Sequence, residues 1–299
     1  MTTDLGLPES DLPGLFDAAD KASLAGQRDY VRTVRLRLVL TVFVAATGIV
    51  TWHVGDRGVD LAAIGTALGL AVITLTELSL RSSRPEERWY DGRALAESAK
   101  SLAWRYSVGG VPFARQTDDH ATKQRFVDQL SRLLKEAPTT SIKPAQRPAI
   151  SSAMEELRAG DLASRKAAYL RFRIIDQQEW YGHKASHNEK RASRWRMTLL
   201  IIEVVGLVAA LAKAAGYVNI DLAGVSAAVI AAGTAWMNLR QHTTLARAYT
   251  FAANELAIAR DRLELATDED AWAAEVADSE EAVSREHKMW RASRSRPSS

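Results

Sequence analysis

Four stretches of the chain are apolar and almost free of charge: Leu38 to Trp52, Leu61 to Thr76, Met197 to Ala212 and Leu222 to Leu239. Their apolar residues follow no 3.6-residue stripe. They are apolar all round, as a helix in hydrocarbon must be and a helix with one face in water is not. A spanning helix takes about 20 such residues. At 15, 16, 16 and 18 residues the bare runs fall short of that, so buried helices of a water-soluble bundle are the competing reading. The bilayer is favoured because the runs come in pairs, joined by brief polar connections at His53–Asp60 and Lys213–Asp221. In addition, Arg35, Arg37 and Arg81 stand at the ends, where long side chains reach the headgroups while their stems stay in hydrocarbon. The pattern therefore predicts an all-α integral membrane protein. Two parallel two-span hairpins give four transmembrane helices, at 34–54, 60–80, 197–215 and 219–239.

The polar remainder reads as long cytoplasmic helices. A short amphipathic segment over Pro13–Asp20 precedes a helix that runs from Ala22 into the first span. Further helices are predicted over Glu86–Tyr106 and Asp118–Glu136, the latter with Phe126, Leu130, Leu133 and Leu134 on one side. Three prolines mark Ala137–Pro148 as a linker, dividing the chain into units 1–136 and 149–299. Ser152 with Glu155 suits a capping box. From about Asp161 a helix with Tyr169, Phe172, Ile175 and Trp180 continues into the third span, an arm of about 50 Å at 1.5 Å per residue. Thr267 with Asp270 suits a last helix start, followed by a stripe of Trp272, Val276, Val283 and Trp290.

Charge adds an orientation. Lys21, Arg28, Arg32, Arg35 and Arg37 precede the first span and Arg81, Arg84 and Arg88 follow the second. Lys184, Lys190, Arg191, Arg194 and Arg196 precede the third, and Arg240 and Arg247 follow the fourth. The hairpin tips hold only Arg57 and Lys213. Basic flanks stay on the cytoplasmic side, so both termini and the middle region are expected in the cytoplasm of an inner-membrane, multi-pass protein. No signal peptide is expected, because the opening residues are acidic and turn-rich. The halves match at a few positions at a constant offset, Arg37 with Arg196, Leu80 with Leu239, Arg81 with Arg240, Arg88 with Arg247 and Tyr90 with Tyr249. The parallel repeat rests instead on the charge and length of the two hairpins, both entering from the cytoplasm. The chain has 299 residues, a formal charge of +3 and no cysteine. Disulfides, thiolate metal sites and a cysteine nucleophile are thereby excluded, and the slight basic excess does not call for a nucleic-acid partner.

Longer patterns then stand out. Leu15-Phe-Asp-Ala-Ala-Asp running to Tyr30, and Trp89-Tyr90-Asp-Gly-Arg through Lys100-Ser-Leu-Ala-Trp104-Arg-Tyr106, resemble one subtype of the SLATT domains. These are the SMODS- and SLOG-associating two-transmembrane effector domains of bacterial conflict systems. Tyr169 with Arg173, Asp176-Gln177, Trp180-Tyr181, Lys184, Asn188 and Trp195 resemble another subtype. The resemblance implies two tandem SLATT units and an oligomeric effector, pore-forming or membrane-perturbing, in an antiphage system. It also implies a trigger from a nucleotide-signalling partner encoded separately, since no Gly-rich phosphate loop of Walker or dinucleotide spacing is present. A constitutive ion channel or small transporter, and a membrane anchor that scaffolds cytoplasmic partners, remain as alternatives.

Glu203 is the sharpest single residue. It lies about 10 Å of helix rise beyond Arg196, inside an apolar span, where an acid is costly and marks a functional interior by default. It either lines a pore or serves as hydrogen-bonded packing glue. Glu77 is the other intramembrane acid, expected to pair with Arg81 four residues on and with Arg37 across the hairpin. Asn238 is the polar residue near the end of the fourth span. Gly65 with Gly69, and Ala227 with Ala231 and Ala235, have the four-residue spacing that lets helix backbones approach in lipid. Glu179, His183 and His187 share a helix face, but on a solvated basic arm without convergent ligands. No metal and no cofactor is expected. No nucleophile–base arrangement or paired carboxylates stand at a defensible spacing, so an enzyme is not expected.

Overall fold

The computed structural model describes residues 6–55, 58–115, 118–137, 142–143 and 146–294, and of 284–294 the backbone alone. It is nearly all helix, in two compact units. The first gathers residues 1–27, 86–185 and 247–299, the second 28–85 and 186–246, so each draws on both halves of the chain. Much of the Ala137–Pro148 linker (138–141 and 144–145), the tip residues Asp56 and Arg57, and the side chain of Trp290 lie outside the described residues.

In the second unit α1 (Gly14–Thr47) delivers the chain into the first hairpin, and α2 (Leu61–Ser83) brings it back. Between them β1 (His53–Val54) pairs antiparallel with β2 (Val59–Asp60), with His53 opposite Asp60. The predicted first span to residue 54 is therefore corrected. The helix stops at Thr47, and the tip carries a tiny strand pair, the one sheet among the described residues. The tip holds itself together through Asp60, whose carboxylate accepts from the backbone N–H of Trp52, Ala62 and Ala63. An Asx cap of this kind satisfies donors at a helix start. The return helix ends at Arg84, left-handed at φ 39°. The second hairpin is made of α7 (Asp176–Ala214) and α8 (Leu222–Arg240), which ends at Gln241, also left-handed at φ 47°. The helices holding the second, third and fourth apolar runs are long and apolar enough to cross a membrane. The first run lies in the 34-residue α1, which is helical only as far as Thr47 and carries Arg32, Arg35 and Arg37 in the turns before that point.

The first unit is a helical core. Here α1 is one helix from Gly14 onward, with no break at Lys21 where two segments were expected. It packs with α3 (Pro85–Val108), α4 (Asp119–Glu136), α5 (Ser152–Ala159), α6 (Leu162–Tyr169), α9 (His242–Leu265) and α10 (Glu269–Arg294). The caps sit one residue from where sequence put two of them. Ser151 rather than Ser152 caps α5, accepting from Met154 N, and Asp268 rather than Thr267 receives the N–H groups of Asp270 and Ala271. In both cases the neighbouring oxygen has the reach to the second or third N–H of the helix. Between α6 and α7 the chain stays helical but widens into a π-turn over Leu170–Ile175. Trp104, Trp272, Tyr106, Tyr169, Tyr181, Phe113 and Phe126 are fully buried in this core. Close approaches fix its spacing: a Cβ on Gly92 would lie within 3.0 Å of α1 backbone, and one on Gly110 within 2.5 Å of Val276.

Candidate functional site

The intramembrane candidates sort by hairpin. In the first, Glu77 accepts from Arg37 at 2.5 Å and from Arg81 at 3.1 Å, so one carboxylate bridges two arginines at the arm-side end. Further in, Gly69 is buried against Val44, which a Cβ would meet at 2.6 Å, and Gly65 faces Phe43 and Thr47. The Thr47 and Thr66 hydroxyls meet at 2.9 Å. This glycine pair thus closes its own hairpin.

In the second hairpin the seam runs through other residues. Leu199 packs on Gly233, where a Cβ would come within 2.6 Å of its methyl, and Gly206 faces Ser226 at 2.9 Å by the same measure. Ala227, Ala231 and Ala235 lie off that seam and are exposed, as is Asn238. Glu203 is exposed too, on the flank of the seam, four residues from Leu199 and three from Gly206. No partner for it exists among the described residues. Beyond the span, His242 is buried at 5 % exposure with its Nδ1 2.7 Å from Asn188 Oδ1. Burial, then the charges of Arg240 and Arg191, hold its pKa below the ordinary 6.5.

The residues carrying the family patterns are mostly core. Tyr90 is buried, its ring stacked on Trp89 at 4.9 Å, and the Trp89 carbonyl accepts from Ser23. Lys100 pairs with Glu9 at 2.8 Å above the Phe16 ring. Trp104 meets Tyr169 edge-on, and Tyr169 meets Trp272 likewise. Trp180 and Tyr181 both contact Tyr249, with Tyr181 buried and Trp180 at 37 % exposure. Asp176, Glu179, His183 and His187 are on the exposed side of α7, with Gln177 half-buried.

Sequence reasoning missed the charged centre of this core. Glu280, 1 % exposed, accepts from Tyr169 Oη at 2.9 Å, Ser101 Oγ at 2.7 Å and the Arg173 guanidinium at 2.9 and 2.8 Å. The π-turn contains Arg173, and Tyr169 stands just before it. Burial opposes the Arg173 charge, but the adjoining carboxylate outweighs it and holds the guanidinium above its ordinary value. Burial, with Glu280 adding to it, pushes the Tyr169 hydroxyl well above the usual phenol range. Two more buried arginines tie loops to helices. Arg158 donates to the carbonyls of Tyr106 and Phe113, and Arg165 donates to those of Val108 and Gly160 and pairs with Glu269. A signal was there: Glu280 falls four residues after Val276 and three before Val283, an acid inside the apolar stripe of α10. Near this core an open cleft runs along α4, lined by Pro112, Gln124, Arg125, Asp128, Gln129 and Arg132.

Two family models match the chain in tandem. Residues 13–166 match the SMODS and SLOG-associating 2TM effector domain 3, and residues 169–290 match the SMODS and SLOG-associating 2TM effector domain 1. The chain belongs to the SLATT family. The two matched segments adjoin between residues 166 and 169, at the end of α6, just before the π-turn. No curated protein and no solved structure matches it. As a tandem SLATT protein it carries two membrane effector domains, and among the described residues the helices with the second, third and fourth apolar runs are long and apolar enough to span.

Proposed function

We propose that this tandem SLATT protein is an oligomeric, non-enzymatic membrane effector of a bacterial conflict system. Its four apolar runs form two hairpins entering the inner membrane from the cytoplasm, both termini stay cytoplasmic, and the assembled hairpins open or perturb the bilayer. The observation that carries the oligomer and the pore is Glu203. A carboxylate exposed on an apolar span, with no partner among the described residues, is costly in lipid by about 2.5–3.5 kcal/mol on insertion scales for comparable charges. A site where several copies meet, lined with water or polar groups, removes that cost. The exposed small residues Ala227, Ala231 and Ala235 allow a neighbouring helix to approach there. The helical core is the receiver in this reading. Its α4 cleft, with two guanidinium groups, suits an anionic trigger supplied by a separately encoded nucleotide-signalling partner.

Ion flux from liposomes holding the purified protein, with and without candidate nucleotides, tests the reading. Trigger-dependent flux is expected, and Glu203→Gln should lower it or shift it away from cations while leaving helicity intact. Flux that is constant without any trigger favours a constitutive channel. No flux under any condition, from a protein that stays monomeric in mild detergent, overturns the pore. An adjacent gene for a nucleotide synthetase or sensor would support the conflict-system role.

A further inference from the structure

The arm-side end of the second hairpin gathers four arginines, Arg191, Arg194, Arg196 and Arg240. The contacts Leu199–Gly233, Gly206–Ser226 and Asn188–His242 define one antiparallel register of α7 on α8. That register sets Trp236 level with Trp195 and Arg196, and Arg240 level with Arg191. At 3.6 residues per turn Arg191, Arg194 and Arg196 leave α7 in three different directions, and all three are exposed. Arg240 lies over the Trp236 ring at 5.8 Å, and Trp195, next to Arg196 in sequence, is half-buried. Glu189 is the single carboxylate between residues 186 and 196, and none stands between 236 and 246. Among the described residues no acid pairs with any of these four guanidinium groups. The other end of the same hairpin is different, because there Lys213 is paired with Asp221 at 3.6 Å.

We propose that this end of the second hairpin binds anionic phospholipid headgroups, as a belt around the helix pair rather than in a pocket. Guanidinium groups donate two parallel hydrogen bonds to phosphate oxygens. Indoles settle at the ester and headgroup level of a bilayer. Basic clusters immediately beside a span attract acidic lipid in proportion to their number. Arginines facing in several directions, with two tryptophans at their level, fit a ring of lipids. The inference depends on membrane insertion and is independent of whether a pore forms.

The test uses the full-length protein reconstituted in phosphatidylcholine vesicles containing a minority of phosphatidylglycerol. The protein is extracted in mild detergent, and the ratio of the two lipids that travel with it is measured. Phosphatidylglycerol should be enriched several-fold over the vesicle ratio. Arg194→Gln/Arg196→Gln/Arg240→Gln should return the ratio to that of the vesicles. The corresponding triple lysine variant, which keeps the charge, should retain enrichment, and Lys213→Gln should change nothing. Helicity and tryptophan emission check that each variant is folded. Excess inorganic phosphate, compared with chloride at equal ionic strength, should not displace the lipid. Wild-type protein with no enrichment, a folded glutamine variant with full enrichment, or displacement by phosphate alone would each overturn the proposal.

Discussion

Replacing Glu280 with leucine should destabilise the helical core more than almost any other single change. Arg173 and Glu280 are 2 % and 0 % exposed at their side chains. Without the carboxylate, a guanidinium remains inside the core with no countercharge, and the Tyr169 and Ser101 hydroxyls lose their acceptor. Removing one member of a buried ion pair costs about 3–5 kcal/mol. A typical domain has only about 5–15 kcal/mol of stability in total. The double variant Arg173→Met/Glu280→Leu removes both charges and fills the space with apolar atoms, so most of that loss should return. Urea unfolding in mild detergent, followed by tryptophan emission, reports on this core because Trp104 and Trp272 are buried in it at 1 % and 0 % exposure. The expected order of midpoints is wild type and double variant together, with each single variant well below. If Glu280→Leu leaves the midpoint in place, or the double variant loses the sum of the two singles, the ion pair is not coupled and the argument fails.

Other outcomes follow from the membrane unit. Burial, then the charges of Arg240 and Arg191, depress the His242 pKa in the folded chain, so as pH falls the unfolded chain takes up a proton first. Stability should be constant above the unfolded value of 6.5 and fall as pH drops below it, and His242→Gln should remove that part of the pH slope in unfolding curves. Gly69→Val and Gly233→Ala place a Cβ about 2.6 Å from Val44 and Leu199 respectively. Each should cost about 1–3 kcal/mol by overpacking, seen as a lower melting temperature of the detergent-solubilised protein, whereas Ala231→Leu on the exposed side should not. In intact cells an impermeant thiol reagent should label Asn219→Cys and leave Val127→Cys untouched. External labelling at Val127, which is 46 % exposed on α4, would reverse the orientation.

The helices were legible in the sequence, because apolar periodicity and charge-free runs are local properties. The family patterns were legible for the same reason. Where helices end was less so: α1 stops at Thr47 although Ile49 and Val50 continue the apolar run, since the Asp60-capped tip takes those residues into a turn. The π-turn reads as ordinary helix, because Leu170-Arg-Phe-Arg-Ile-Ile has no proline or glycine to announce it. Least legible was pairing across the chain. Arg173 and Glu280 are separated by 107 positions, and no periodicity within either helix names the other. The acid in the α10 stripe was a visible anomaly, but only the fold supplies its partner. The glycine pair Gly65 and Gly69 was readable as a close approach, though not which helix approaches.

The core is assembled from three pieces of chain, and this bears on how the protein is made. Trp272, Val276 and Glu280 sit in the helix that is translated last among those building the core. Tyr169, Arg173 and Trp104 therefore wait for α10 while everything between them, including the second hairpin, leaves the ribosome. Synthesis of both hairpins precedes closure of the helical core, and until α10 is made the aromatic residues it covers have no partner helix. A chain stopped short of Glu280 would contain both hairpins but leave the Arg173 guanidinium without its carboxylate. Separating the tandem into two genes would not yield two working halves unless the second product were made beside the first.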